Sequence, residues 1–191
     1  MDNGTLHVQR LDDQAHQLMQ GQFSHSSNIV IEPEFSESSG RGDLRLADRY
    51  EAFFPFFFLG SMRNDWSVEL TPLIPLELEL DVDDSQLALD LNDLILETFR
   101  AELHDCRGEV ALPSSDGLNA NLNLDESELI VSIPADAAVR IAVNLDDSEL
   151  TIDSSRFMKI SVSEYLSQGY DEAETRLNLT LRATDSSVSI Q

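Results

Sequence analysis

The chain has 191 residues, of which 41% are hydrophobic, enough for one domain with a packed core. It carries 36 acidic residues against 12 lysines and arginines, so its formal net charge is −24. This charge argues against nucleic acids and anionic membrane surfaces as partners, because both would repel the protein. Metal ions, basic proteins and cationic peptides are the partners compatible with it.

The N-terminal third of the sequence mixes strand signals with polar segments. Residues 5–9 alternate in polarity and predict a strand, whereas 10–22 are polar with weak helical spacing. Residues 23–35 alternate again and predict a strand pair, and 36–49 are rich in turn formers and predict a loop. An aromatic run follows at 53–59, and its seven residues fall far short of a membrane-spanning helix.

From Trp66 onward, apolar residues alternate almost continuously, and one pattern recurs. The pattern is an alternating strand, an acidic turn that ends on a small residue, and a second alternating strand. Clear copies read LDVDDSQLAL at 80–89, LNLDESELIV at 122–131 and VNLDDSELTI at 143–152, with looser copies at 103–112 and 181–190.

The spacing of the turns gives the period of the repeat. Taking Ser85, Gly108, Ser127 and Ser148 as the small turn residues gives intervals of 23, 19 and 21 residues. A regular period near 20 residues predicts an all-β fold, a β-solenoid-like stack of short strands. An excursion at 153–175 interrupts the pattern before the last coil, and we expect it either to cap that coil or to form a working face.

Two segments of the repeat region resemble the bacterial toast-rack domain. The stretch SQGYDEAETRL at 167–177, followed by a strand, a small turn and a terminal strand, is similar to the closing motif of that domain. Trp66 and the proline-bounded LTPLIP at 70–75 resemble its opening. The family includes the C-terminal domain of LiaF-like cell-wall-active antibiotic response proteins (DUF2154) and adhesin-like families (DUF4097). The resemblance is strong over 66–191 and weak over 1–65.

The resemblance implies a non-catalytic domain that is often tethered to membrane helices and linked to envelope-stress signalling. It implies no catalytic residues and no cofactor, and the sequence has no common nucleophile, zinc or phosphate-loop motif. We therefore expect a cell-envelope interaction or sensor module, with a surface adhesin-like or calcium- or ligand-binding solenoid as the alternative. We expect a protein partner or self-association, and a soluble chain cut from a longer protein that is membrane-associated or extracytoplasmic.

The turns depart from the family pattern, because acidic residues and serine replace the usual Gly-Ala-Gly. If coils stack in sequence order, Asp84, Glu126 and Asp147 share one column, interrupted by Arg107. Such a column of carboxylates is a candidate calcium site, since calcium takes six to eight oxygen ligands. The alternative is a solvated acidic edge that prevents edge-to-edge aggregation.

An aromatic cluster is the candidate partner-binding surface. Its rings either cap one end of the solenoid, which would otherwise expose its core, or form an exposed patch that docks a partner. The domain organisation that we expect is an N-terminal segment, 1–65, with this cluster as its cap, followed by repeats over 66–191. The residues of the cluster are Tyr50, Phe53, Phe54, Phe56, Phe57, Phe58 and Trp66.

Overall fold

The computed structural model describes residues 1–12, 17–27, 29–38, 41–50 and 64–191, apart from the side chains of Asp2, Arg41 and Tyr50. In these residues the only helix is a short 3-10 helix, Tyr170–Glu172, and strands dominate. The all-β prediction is therefore confirmed. The strands are β1 (Asp2–Arg10), β2 (Met19–His25), β3 (Ile29–Ser38), β4 (Arg41–Tyr50), β5 (Asn64–Leu70), β6 (Leu76–Asp90), β7 (Leu96–His104), β8 (Arg107–Ala111), β9 (Asn119–Asp125), β10 (Glu128–Ser132), β11 (Ala138–Asp146), β12 (Glu149–Ile152), β13 (Phe157–Lys159), β14 (Glu164–Ser167), β15 (Arg176–Thr184) and β16 (Ser187–Ile190).

Nine of these strands run parallel to their neighbours in a stack of five coils. Coil 1 is β6, and its two halves begin the two arms of the sheet. Coil 2 is β7 with β8, coil 3 is β9 with β10, coil 4 is β15 with β16, and coil 5 is β11 with β12. One arm therefore runs β6-β7-β9-β15-β11 and the other β6-β8-β10-β16-β12. Beyond coil 1, β1 pairs in parallel with β6 and β5, and β2 pairs antiparallel with β5.

Alternation along each strand fills the core. Successive side chains of a strand point to opposite faces, so every second residue of a coil points inward. Residues in register form columns, for example Leu103, Leu124 and Ala183, which are 2–3% exposed. The inward residues of both arms form one hydrophobic cluster, and loop residues such as Leu91 and Leu112 close its remaining side.

The coils do not stack in sequence order. The expectation that they do is wrong, because the C-terminal copy, β15–β16, lies between coils 3 and 5. The fourth copy in the sequence, β11–β12, is consequently the outermost coil. The excursion at 153–175 is long enough to carry the chain back past this coil before it re-enters the sheet.

The looser copy at 103–112 has a different phase from the predicted one. Cys106, not Gly108, occupies the position of Ser85 and Ser127, since Gln86 pairs with Arg107, and Arg107 with Glu128. Gly108 is needed for another reason: a Cβ there would lie 2.1 Å from the carbonyl oxygen of Leu87. With Cys106 in place, the small turn residues from Ser85 to Ser148 are spaced by a uniform 21 residues.

The N-terminal third contains more strand than the sequence predicts. Residues 36–49 are not a loop, because β3 and β4 form an antiparallel hairpin across most of that range. Although residues 10–22 have weak helical spacing, the last of them belong to strand β2, which pairs with β5. The expected boundary at 65/66 falls inside β5, and β1 is hydrogen-bonded to β6 across it.

The excursion covers part of the outermost coil. It forms the hairpin β13–β14, and β14 pairs antiparallel with residues 140–142 of β11. Phe157, 2% exposed, joins the core from this hairpin. These contacts match a cap over one half of coil 5. The hairpin also exposes Met158, Ile160 and Val162 to solvent, and its role as a working face stays a prediction.

Candidate interaction surface

A ladder of small side chains fixes the turn of every coil. The backbone N–H groups of Cys106, Ser127 and Ser186 donate to the Oγ atoms of Ser127, Ser186 and Ser148 at 2.9, 2.9 and 3.0 Å. At the other end, the Gly4 N–H donates to the Ser85 Oγ at 3.1 Å.

Each hydroxyl of the ladder also donates to the carbonyl oxygen two residues earlier in its own turn. The Ser127 hydroxyl, for example, donates to the Asp125 carbonyl at 2.8 Å, and the Ser186 hydroxyl to the Thr184 carbonyl at 2.6 Å. Buried turns need such partners, because an unpaired buried N–H costs free energy. The ladder therefore explains why a small hydroxyl residue ends each acidic turn.

Cys106 occupies the same position with a thiol. Its Sγ donates to the His104 carbonyl at 3.2 Å and to the Val82 carbonyl at 3.4 Å, and the Ser85 N–H is hydrogen-bonded to the thiol. Cys106 is 1% exposed, and burial, helped by Asp83 and Asp105, raises its pKa. A buried thiol with a raised pKa is a poor nucleophile, so the ladder position accounts for this residue without a redox role.

The turn residues just before the ladder form an exposed acidic ridge. In stack order their backbone φ angles are 44, 51, 50, 49 and 45°, and all five side chains are exposed. Positive φ is unusual for residues other than glycine, and here the ladder holds the turns in place. Neighbouring coils are about 4.8 Å apart, so the ridge is a line of like charges in solvent. The acidic ridge consists of Asp84, Asp105, Glu126, Asp185 and Asp147.

A polar groove of about 520 Å³ runs beside the ridge, on the outer face of the β6-β7-β9-β15 arm. Hydrogen bonds between neighbouring coils order its side chains. The Asn123 amide donates to Glu102 at 2.6 Å, and His104 Nδ1 lies 3.0 Å from an Asp125 carboxylate oxygen. Its outward-facing residues are Asp81, Asp83, Glu102, His104, Asn123, Asp125 and Thr184.

On the other side of the ridge, a smaller concave region of about 310 Å³ lies on β8, β10 and β16. Arg107 and Glu128 form an exposed ion pair there, 3.6 Å apart, beside Ile130, which is 37% exposed. The two concave regions and the ridge together offer carboxylates, amides and hydroxyls at regular spacing. Such an array can bind a cationic or hydrogen-bonding partner along the stack.

The predicted calcium ligands are brought to one ridge but not next to one another. Asp105 lies between Asp84 and Glu126, and Asp185 lies between Glu126 and Asp147. Arg107 is not in the column, because the copy at 103–112 is in a different phase. In the part of the chain that the structure describes, no group of three or more acidic, histidine or cysteine side chains is close enough to hold a metal ion. Calcium binding by the ridge stays a prediction.

The aromatic cluster divides between the core and residues outside the described part. Trp66 is 5% exposed, meets Phe23 edge to face at 5.2 Å and donates from Nε1 to Asn64 Oδ1 at 2.7 Å. Trp66 is thus a core residue rather than an exposed contact, because its side chain belongs to the hydrophobic cluster and Phe23 packs against it. Docking or capping by the other rings stays a prediction, since the following lie outside the described residues: the Tyr50 side chain, Phe53, Phe54, Phe56, Phe57 and Phe58.

Sequence reasoning missed two members of the ridge, Asp105 and Asp185. The first was hidden by setting the phase on Gly108; the constant spacing of 21 residues from Ser85 through Cys106 to Ser127 would have revealed it. Asp185 is followed by Ser186 in the C-terminal copy, so its turn has the same acidic-small order as the others.

These features define an all-β stack of parallel coils with an acidic turn ridge. The family described as the N-terminal domain of toast_rack, DUF2154, matches residues 1–126, and the chain belongs to this family. The match includes the N-terminal third, where the resemblance by sequence is weak.

A solved structure has the same fold. It is the crystal structure of a putative cell adhesion protein from Clostridium sporogenes, 18% identical to this chain, with a TM-score of 0.81. The alignment covers 99% of this chain and 89% of that one. At this identity the likeness shows the fold alone. The curated proteins contain no match to the sequence. Over the described residues, no helix has the length and apolar character needed to cross a membrane.

Proposed function

We propose that this chain is a non-enzymatic interaction module of the cell envelope that senses envelope stress. The observation that carries the proposal is the rigid, evenly spaced array of polar side chains along the ridge and groove. Stacked repeats hold such arrays in place because each coil is fixed by its neighbours, which makes extended surfaces for partners. Membership of the toast-rack family supports the envelope setting, since the resemblance described above implies relatives among cell-wall-active antibiotic response proteins.

Charge favours a basic partner protein. The net charge of −24 and the five carboxylates of the ridge create a negative potential along one side of the stack. Basic proteins or cationic peptides would be drawn to this side, and the attraction would weaken as salt rises. In the full-length protein we propose that a membrane tether holds the module at the cell surface.

A genetic experiment tests the sensor role. A strain that lacks the gene is challenged with a cell-wall-active antibiotic, and induction of envelope-stress genes is measured. We expect induction to change in this strain and to return to normal with the wild-type gene. The gene carrying Glu102→Lys and Asn123→Lys, which remove most of the negative charge of the groove, should restore expression of the protein but not the response. A normal response in the deletion strain contradicts the proposal.

An adhesin is the second candidate. The likeness in fold to a protein named for cell adhesion favours it. The same deletion strain discriminates between the two, because an adhesin predicts lost attachment to surfaces or cells with an unchanged antibiotic response. Calcium would be expected to strengthen an adhesin with ligands on the ridge.

A further inference from the structure

The edge of strand β12 is open. Among the described strands β12 pairs only with β16, and it is the terminal strand of its arm. The N–H groups of Glu149 and Asp153 donate toward coil 4, to the carbonyls of Ser186 and Ile190. Because backbone direction alternates along a strand, the N–H and C=O groups of Leu150 and Ile152 face away from the sheet.

The core is also incomplete at this edge. Val188 and Ile190, in register with Leu150 and Ile152, are each 1% exposed, whereas Leu150 and Ile152 are partly exposed. In the same coil Leu145 is 37% exposed, although the inner residues of its column are almost fully buried. An added strand would cover Leu150 and Ile152, as β12 itself covers Val188 and Ile190.

The chain itself adds a strand to the other half of coil 5. Residues 164–166 of β14 pair with residues 140–142 of β11, so one half of this coil is covered and the other is left open. Strand β12 lacks lysine and proline, which often protect free edges, and carries one carboxylate, Glu149, instead.

Charge selects the occupant. Acidic side chains flank the open edge, namely Asp146, Asp147, Glu149 and Asp153. A second copy of the chain would bring the same carboxylates opposite them on a molecule that also carries −24, which disfavours pairing of two copies. The basic, outward-facing residues of an added strand would neutralise Glu149 and the acidic side chains that flank it. Its apolar, inward-facing residues would cover Leu150 and Ile152.

We infer that β12 receives, by strand addition, an extended segment of a partner protein in which basic and apolar residues alternate. This inference rests on the proposed interaction function and gives it a partner class and a place. Main-chain hydrogen bonds supply the register, and the alternation of side chains supplies the specificity.

The test is fluorescence anisotropy with the labelled peptide RVRVRV, at low and at physiological salt. A block peptide of the same composition, RRRVVV, is the control for charge alone. We expect RVRVRV to bind at least fivefold more tightly than RRRVVV, because only the alternating peptide meets both faces of the edge. Equal binding of the two peptides overturns the inference in favour of long-range attraction.

Two variants locate the site. Ile152→Pro removes an N–H that faces away from β16, so the sheet keeps its hydrogen bonds while one bond to the peptide is lost, which should weaken binding about fivefold. Glu149→Lys should weaken binding by at least fivefold, whereas Glu97→Lys, with the same change of net charge on coil 2, should change it less than twofold. If Glu149→Lys and Glu97→Lys weaken binding equally, the peptide does not occupy this edge.

Sedimentation velocity without peptide tests whether a second copy of the chain occupies the β12 edge instead. A concentration-dependent dimer that Ile152→Pro abolishes would show a second copy on this edge and overturn the basic-partner inference. If Ile152→Pro lowers the melting temperature, the pair Glu149→Lys and Glu97→Lys still decides the case. The peptide results are independent of the antibiotic response. The strand-addition inference can therefore be contradicted while the sensor role is supported, and the sensor role can be contradicted while the peptide still binds β12.

Discussion

The hydrogen-bond ladder makes a quantitative prediction at Ser127. The Ser127 side chain is 2% exposed and accepts the Cys106 N–H at 2.9 Å. Ser127→Ala removes this acceptor and leaves a buried N–H without a partner. The Asp125 carbonyl, which also loses a donor, still accepts the Asp105 N–H at 3.0 Å. The loss is therefore that of one buried N–H.

An unpaired buried group of this kind lowers the free energy of unfolding by roughly 1–3 kcal/mol. For a chain of this length, roughly 2 kcal/mol corresponds to a fall in melting temperature of about 4–8 °C. Urea unfolding followed by circular dichroism measures the change, and an unaltered m value shows that the unfolded state is unaffected.

Two variants control the Ser127 experiment. Ser127→Cys should keep most of the stability, because Cys106 fills the same position one coil away with a thiol. Ser148→Ala removes the equivalent acceptor at the partly exposed end of the ladder, where water can replace it, and should cost less than about 1 kcal/mol. If Ser127→Ala costs less than about 0.5 kcal/mol, or no more than Ser148→Ala, the ladder does not stabilise the stack as argued.

Four further outcomes follow from the turns, the close contacts and the buried thiol. Glu126→Gly should raise the free energy of unfolding by up to about 1 kcal/mol, because glycine adopts positive φ without strain; a loss of stability would show that the Glu126 side chain has a structural role. Gly108→Ala should lower the free energy of unfolding by about 2 kcal/mol or more, because the new Cβ meets the Leu87 carbonyl. Gly117→Ala meets open space but has a φ of 76°, so it should lower the free energy by only about 1 kcal/mol, and urea unfolding measures both values. The pKa of Cys106 is higher in the folded state than in the unfolded state, so the thiol ionises first in the unfolded chain as pH rises. The free energy of unfolding should therefore keep its full value at pH below the pKa of the unfolded thiol, and should fall as pH rises toward the pKa of the folded thiol. Cys106→Ser should remove this part of the alkaline slope, and an unchanged slope would assign it to other groups. Calcium at millimolar concentration tests the ridge in a melting experiment: a site there requires a rise in melting temperature, and the absence of a shift excludes one.

The sequence predicts the kind of fold because the relevant signals are local. Alternation of apolar residues predicts the strands of the repeats, and turn residues such as Ser85 and Ser127 predict where each coil bends. The structure contains the strands and the bends that these signals predict. It also contains the predicted excursion before the last copy of the repeat in the sequence, β15–β16. The local pattern gives the wrong phase for the copy at 103–112, because Gly108 is a turn former by type but lies two residues beyond the turn position of Cys106. The real constraint on Gly108 is a contact with Leu87, about 20 residues away in sequence.

The hairpin β3–β4 escaped prediction for a related reason. The segment 36–49 is rich in Ser, Gly and charged residues, which locally favour a loop. Ten residue pairs between β3 and β4 nevertheless make it a strand pair. The exposed Phe35 and Leu44 show that this hairpin gains little from burial at its outer end, so local hydrophobic patterning gives a weak signal.

The sequence by itself determined the composition of each coil: inward apolar residues, an acidic turn and a small residue that ends the turn. It could not determine the order of the coils, because all coils present similar columns and hydrogen-bonding edges to their neighbours. Only the tertiary structure decided that β15–β16 enters between coils 3 and 5, that Asp105 and Asp185 complete the ridge, and that Trp66 lies in the core. The same choice of order left β12 outermost, with its edge open, since contacts between distant segments determine which strand ends the stack.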